Sequence, residues 1–199
     1  MNLPVMFKAS ARELKNPHCL VTTGLLVAVF VVLKGYFSIR IGETLKISVA
    51  FIPLAAIGML YGPVVGLIAG IPCDLLGALL QGVGILPVFT FIIMFNGLIY
   101  GVFLYGFELK KSVFQSVKLI LAQAIVVFIS HLVLNTAALY HYGFIGGDDS
   151  TIKAMVMIRV VKNLIEFPID LVLLFILLPV IKMIYLKVFQ GVGGERKSK

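Results

Sequence analysis

The sequence predicts an all-α integral membrane protein of six transmembrane helices, with the N-terminus and the C-terminus both cytoplasmic. Three observations carry this. Of 199 residues, 60% are hydrophobic and 13% are charged, against about 25% charged in an ordinary soluble domain. The mean hydropathy is +1.09. The apolar residues fall in runs, most of them near the roughly 20 residues that a membrane-crossing helix needs. A soluble domain of this size has too much surface to cover with so few charges, and disordered chains are poor in apolar residues. The formal charge of +8 therefore reads as membrane topology and not as a surface for nucleic acid.

The elements follow in order. Residues 1–19 are basic and polar, with no small-residue cleavage site, and form a cytoplasmic N-terminal segment. The apolar runs are 20–36, 47–60, 63–80, 87–107, 119–140 and 152–185, which together make one domain over 20–187. A basic cytoplasmic tail, 188–199, closes the chain. The second and third runs are short and joined by a tight Tyr61-Gly62-Pro63 turn. A short span must tilt, be shielded by neighbours, or border a cavity. The last run is long and contains Pro168 and Pro179; Pro168 is expected to kink it. No stretch outside the runs is long enough for a nucleotide-hydrolysing domain. Cys19 and Cys73 lie in apolar segments and read as packing residues.

With the N-terminus inside, the cytoplasmic side receives Lys8, Arg12, Lys15, Lys110, Lys111, Lys118, Lys182, Lys187, Arg196, Lys197 and Lys199, eleven of the seventeen basic residues. Lys34, Arg40 and Lys46 fall outside or at the outer rim. This asymmetry favours an even number of spans.

Ionisable and amide groups at membrane depth are costly and face an interior or a cavity. Here they are Asp74, Asn96, His131 with Asn135, and a group on the last span. At about 100° per residue, Arg159, Asn163, Glu166 and Asp170 share a stripe roughly 60° wide, with Lys162 at its edge. One reading is an internal ladder of ion pairs, Lys162 with Glu166 and Arg159 with Asp74. The other is a pocket. Counting along the spans places Asp74, Asn96, Asn135 and Arg159 about 8–10 Å below the outer surface. A pore would spread such groups along its axis, whereas an outward pocket gathers them at one level. Asp170 falls deeper and reads as structural. The outer stretch 38–46 alternates polar with apolar residues, suiting a lid or an interfacial connection; the aromatic, glycine-rich stretch 140–150 suits an interface belt.

Gly24 with Ala28, Gly66 with Gly70, and Gly97 with Gly101 have the small-xxx-small spacing that allows close helix approach. No phosphate-binding loop, metal-ligand cluster or catalytic constellation is present in the sequence, so no cofactor, metal or catalytic residue is assigned. The chain reads as a binder of a polar solute and not as an enzyme.

Several stretches carry a family resemblance. They are Val31-Val32-Leu33 with Phe37-Ser38-Ile39-Arg40-Ile41-Gly42, Leu45-Lys46-Ile47-Ser48 with Phe51-Ile52-Pro53-Leu54, and Gly62-Pro63-Val64-Val65-Gly66. Asp74-Leu75-Leu76-Gly77, Gly97-Leu98-Ile99-Tyr100-Gly101 and 159–168 complete the set. In order and spacing these resemble the substrate-binding S component of an energy-coupling-factor (ECF) transporter, nearest the folate-specific branch. The resemblance implies an ECF S-component-like bundle in the bacterial plasma membrane with a vitamin pocket near the outer face. It implies as partners a transmembrane coupling subunit and two cytoplasmic ATPase subunits, and release of the ligand inside by toppling. Gly24 and Ala28 stand where the family docks its coupling subunit. Another vitamin, such as riboflavin or thiamine, or a stand-alone facilitator remain the alternatives.

For folate, the residues divide by chemistry. Carboxylates and amides suit the donor edge of a pterin, which makes Asp74, Asn96, Asn163 and Glu166 candidates. Arg159 makes paired, charge-assisted hydrogen bonds and, with Asn163, forms the central pair. Phe89, Phe91 and Phe95 are candidates to stack on the ring, and Lys46 and Arg40 at the mouth meet the glutamate carboxylates.

Overall fold

The protein is described from a computed structural model, which covers residues 3–41, 45–107, 113–145, 147 and 149–194; the side chains of 39–47, 149 and 189–194 lie outside the description. The chain runs α1 (Leu3–Glu13), α2 (Pro17–Tyr36), β1 (Ser38–Ile41), β2 (Leu45–Ser48), α3 (Phe51–Tyr61), α4 (Pro63–Leu80), α5 (Pro87–Leu104) and α6 (Val113–Ile125). A π-helical segment (Val126–Leu134), α7 (Asn135–His141) and α8 (Asp149–Gly194) complete it. Among the described residues, five helical stretches are long and apolar enough to cross a membrane, and the shorter α3 is a sixth apolar helix. The bundle is helical as the sequence predicts, with two additions.

The first addition is α1, within a segment that composition reads as merely basic and polar. It buries Met6 and Ser10. The Ser10 hydroxyl donates to the Tyr61 carbonyl at 2.7 Å and accepts from the Val64 and Val65 amides at 3.0 and 3.3 Å. Those amides are among the first N–H groups of α4, which have no partner inside their own helix. Gly62 makes the turn at φ 85, a conformation that favours glycine, and Pro63 then starts α4 where its missing N–H costs nothing. The second addition is a two-stranded antiparallel hairpin in the stretch read as a lid or connection. It pairs Ser38 with Ser48, Ile39 with Ile47, Arg40 with Lys46, and Ile41 with Leu45. The run 47–60 therefore divides into the end of a strand and a short helix.

At 1.5 Å per residue, the 11 residues of α3 span about 16 Å, half of a hydrocarbon core. Neighbours shield it: Ile52 to Met59 are all buried, and α2, α4, α5 and α8 surround it. The antiparallel pair α4 and α5 forms the tightest crossing. A Cβ added to Gly97 would overlap the Gly66 carbonyl, one on Gly70 would lie 2.6 Å from the Met94 Cα, and one on Gly101 would overlap Pro63. Glycine lets these backbones touch. The helix α8 is continuous through Pro168 and Pro179 and holds 46 residues, about 69 Å at the same rise. Cys19 and Cys73 are buried free thiols. Much of the outer surface is apolar, with Val21, Leu25, Leu164 and Ile165 exposed, while Asp74, Asn96, Arg159 and Asn163 are buried. That inversion suits a lipid surroundings and a polar interior.

Candidate solute-binding cavity

A cavity of about 880 Å³ opens among α2, α4, α5, α7 and α8. It falls within the range of roughly 300–1,000 Å³ typical of ligand pockets. Ser48 and Phe51, beside the hairpin, and Gln81 and Val83, after α4, border one end; Tyr100 and Asp170 lie at the other. Its polar lining includes the four residues that sequence depth places at one level, Asp74, Asn96, Asn135 and Arg159, together with Asn163 and Glu166 further along α8. Lys34, Lys162 and His131 join them.

The α8 stripe forms as its periodicity predicts. Arg159, Lys162, Asn163, Glu166 and Asp170 all line the cavity, while Ile158, Leu164, Ile165 and Ile169 are exposed on the opposite faces. Lys162 and Glu166 pair at 3.0 Å, one turn apart. The Arg159 Nε donates to Thr136 Oγ1 at 3.0 Å, which anchors the guanidinium to α7. Arg159 is 6% exposed and Asn163 3%.

Asp74 sits elsewhere in the network than the ladder reading has it. Its carboxylate accepts from Lys34 Nζ at 2.8 Å and from Thr90 Oγ1 at 2.7 Å. Two hydrogen bonds from α2 and α5 thus hold it on the cavity wall. Lys34 reads from sequence as a rim charge, because it stands at the end of its span. Its stem instead turns inward across Gly77, where a Cβ would lie 2.5 Å from the Lys34 Cδ.

Asp170 is a second revision. Read as deep and structural, it lines the cavity and also accepts from Gln123 Nε2 at 2.9 Å. Gln123 in turn accepts from the Tyr100 hydroxyl at 2.7 Å. The relay Tyr100–Gln123–Asp170 lay unread in the sequence, although a lone glutamine within an apolar run at membrane depth is the signal that finds it. Asn96 differs from all of these. It is 7% exposed, and its Oδ1 has no hydrogen-bond partner among the described residues. Leaving a buried acceptor unmade costs about 1–3 kcal/mol.

The π-helical segment packs against α5, α6, α7 and α8. Its wide turn passes into α7, and it carries His131 to the cavity while Asn135 follows at the start of α7. Such segments interrupt α-helices frequently at functional sites. Phe89 lines the cavity, whereas Phe91 is exposed and Phe95 packs against the apolar core. The Arg40 and Lys46 side chains lie outside the described residues; their backbones face each other across the hairpin. Gly24 and Ala28 are exposed on α2 beside Leu25 and Val29.

A membrane bundle that hides amides, cations and carboxylates around one cavity, and turns its apolar residues outward, defines a membrane-embedded solute-binding protein. Residues 18–178 match the family described as ECF transporter, substrate-specific component. The chain belongs to that family: it is a multi-pass membrane component of a transporter and not an enzyme. It is 29% identical over 163 residues to the folate transporter FolT of Clostridium novyi (strain NT), covering 81% of this chain and 88% of that one. It is 31% identical over 137 residues to the folate transporter FolT of Leuconostoc mesenteroides subsp. mesenteroides, covering 68% and 72% respectively. A crystal structure of FolT bound with folic acid superposes with a TM-score of 0.70 at 31% identity, covering 81% of this chain and 93% of that chain.

Proposed function

We propose that the protein captures folate from outside a bacterial plasma membrane and delivers it inward as the substrate-binding subunit of an ECF-type importer. The observation that carries this reading is the cavity itself, where Asn96 Oδ1, an acceptor with no partner among the described residues, stands among buried donors and carboxylates. Folate offers a donor-rich pterin edge to acceptors and two carboxylates to cations. Arg159 and Asn163 form the central pair, with Asn96 and Glu166 beside them and Asp74 on the wall. Arg40 and Lys46 draw the anion to the mouth. The names of the relatives and of the superposed structure support the same ligand.

In this reading six spans cross the membrane with both termini cytoplasmic, and the hairpin end faces outward. The ligand is folate and no separate cofactor takes part. A transmembrane coupling subunit and two cytoplasmic ATPase subunits dock on the α2 face that carries Gly24 and Ala28. ATP hydrolysis in those partners drives toppling and release. The test is calorimetric titration of the purified chain with folic acid, riboflavin and thiamine. Saturable binding of folic acid alone supports the proposal, and tight binding of either other vitamin instead of folic acid overturns it. Folate transport by liposomes holding this chain without ATPase partners would make it a facilitator.

A further inference from the structure

We propose that Lys34 is a positioning residue that ties the cavity wall to the root of the hairpin and sets how long a ligand stays bound. The inference rests on the proposed folate binding for its kinetic readout, and it has a second readout that needs no ligand. Lys34 stands near the C-terminal end of α2, where the last carbonyls have no partner within the helix. Its own carbonyl accepts two side chains, Ser38 Oγ at 2.6 Å and Gln81 Nε2 at 2.6 Å. Ser38 is the first residue of β1, and Gln81 caps α4. At the other end of the same residue, Nζ meets Asp74 on α4, and Thr90 on α5 holds the second oxygen of that carboxylate.

One residue therefore joins the hairpin, the end of α4 and the cavity wall. Its stem passes close over Gly77, where a Cβ would lie 2.5 Å from the Lys34 Cδ. The pair is partly buried, with side-chain exposures of 16% and 7%, so removing one partner leaves a costly charge. With the pair broken, the carbonyl bonds to Ser38 and Gln81 remain but the link from the hairpin root to Asp74 is lost, and the ligand escapes faster.

The experiment uses the full chain in lipid nanodiscs with folic acid as probe. Lys34→Met is expected to raise the folate dissociation rate at least tenfold while changing the association rate less than threefold. Asp74→Asn should do the same, and the double variant should lose no more than either alone, as coupled residues do. Lys34→Arg should restore most of the residence time. Without ligand, the strand amides of 38–41 and 45–48 should exchange hydrogen faster in Lys34→Met. An unchanged dissociation rate overturns the proposal. So does a loss confined to association, or tighter binding in Asp74→Asn, since either marks Lys34 as a steering or ligand-pairing cation. If the unsubstituted chain binds no folate, the functional reading fails, and exchange at the strands decides this inference alone. Should Lys34→Met not fold, Ser38→Ala with Gln81→Leu removes the backbone links and keeps the ion pair; strand exchange no faster than in the parent then overturns the proposal.

Discussion

Asn96 shows what a proposed binding residue costs before its ligand arrives. Its buried Oδ1 lacks a partner among the described residues, and replacing such a group by an apolar one of similar shape removes the penalty. Asn96→Leu is therefore expected to raise the melting temperature of the ligand-free protein, or leave it unchanged, while weakening folate at least tenfold. A variant that melts markedly lower would mean the amide is structural. Arg159 carries the opposite expectation for stability, because it is already bonded to Thr136. Arg159→Ala or Asn163→Ala should cost more than about 1.4 kcal/mol of binding, a tenfold loss, measured by calorimetry. Unchanged affinity in both would remove the central pair from the site. What the sequence discloses at this scale is depth and not partnership. Spacing along a span places Asp74 and Arg159 at one level, but it does not give the rotation of one helix against another. Hence Lys34, not Arg159, turned out to be the residue bonded to Asp74.

The two glycine pairs on α4 and α5 behave differently from the small pair on α2, although their spacing in the sequence is identical. A Cβ on Gly97 would overlap the Gly66 backbone, whereas one on Gly24 meets nothing within 4 Å. Gly97→Ala should therefore force the tightest crossing apart and destabilise the bundle by about 1–3 kcal/mol, as overpacked cores do. Gly24→Ala, free of contacts, should be neutral or stabilising by up to about 1 kcal/mol, the gain of alanine over glycine inside a helix. Thermal melting of both variants in one detergent checks the contrast, and equal losses would refute it. The same elements show how far hydropathy reaches. Apolar runs locate α2, α4, α5 and α8 closely because each run is bounded by proline, glycine or charge. The hairpin was not legible as strands, since four alternating residues on either side of a glycine also suit an interfacial loop. The helix α1 escaped because its buried face holds only Met6 and Ser10, too few to stand out from a basic segment. The π-helical segment leaves no mark in apolar periodicity, since apart from Ser130 and His131 it is apolar all round.

For the molecule as a whole, the contrast between its two surfaces decides what each can do. The inner surface gathers the buried polar groups around one cavity, which in the proposed function receives the solute. The outer surface is largely apolar, so apolarity alone cannot single out where another membrane protein docks. Between lipid-facing helices there is no hydrophobic gain, and association depends on close backbone approach at small residues. The pairs Gly66 with Gly70 and Gly97 with Gly101 are already consumed inside the bundle. Gly24 and Ala28 are not: they are exposed on α2, a helix that also roots the hairpin through Lys34 and Ser38. A large side chain there would face lipid and leave the cavity untouched. Ala28→Trp is accordingly expected to bind folate within threefold of the parent in nanodiscs. Reconstituted in liposomes with the coupling and ATPase subunits, it should lose ATP-dependent folate uptake. Uptake at the parental rate would place the docking face on another helix, and a parallel loss of folate binding would show that α2 transmits a change at its outer face into the cavity.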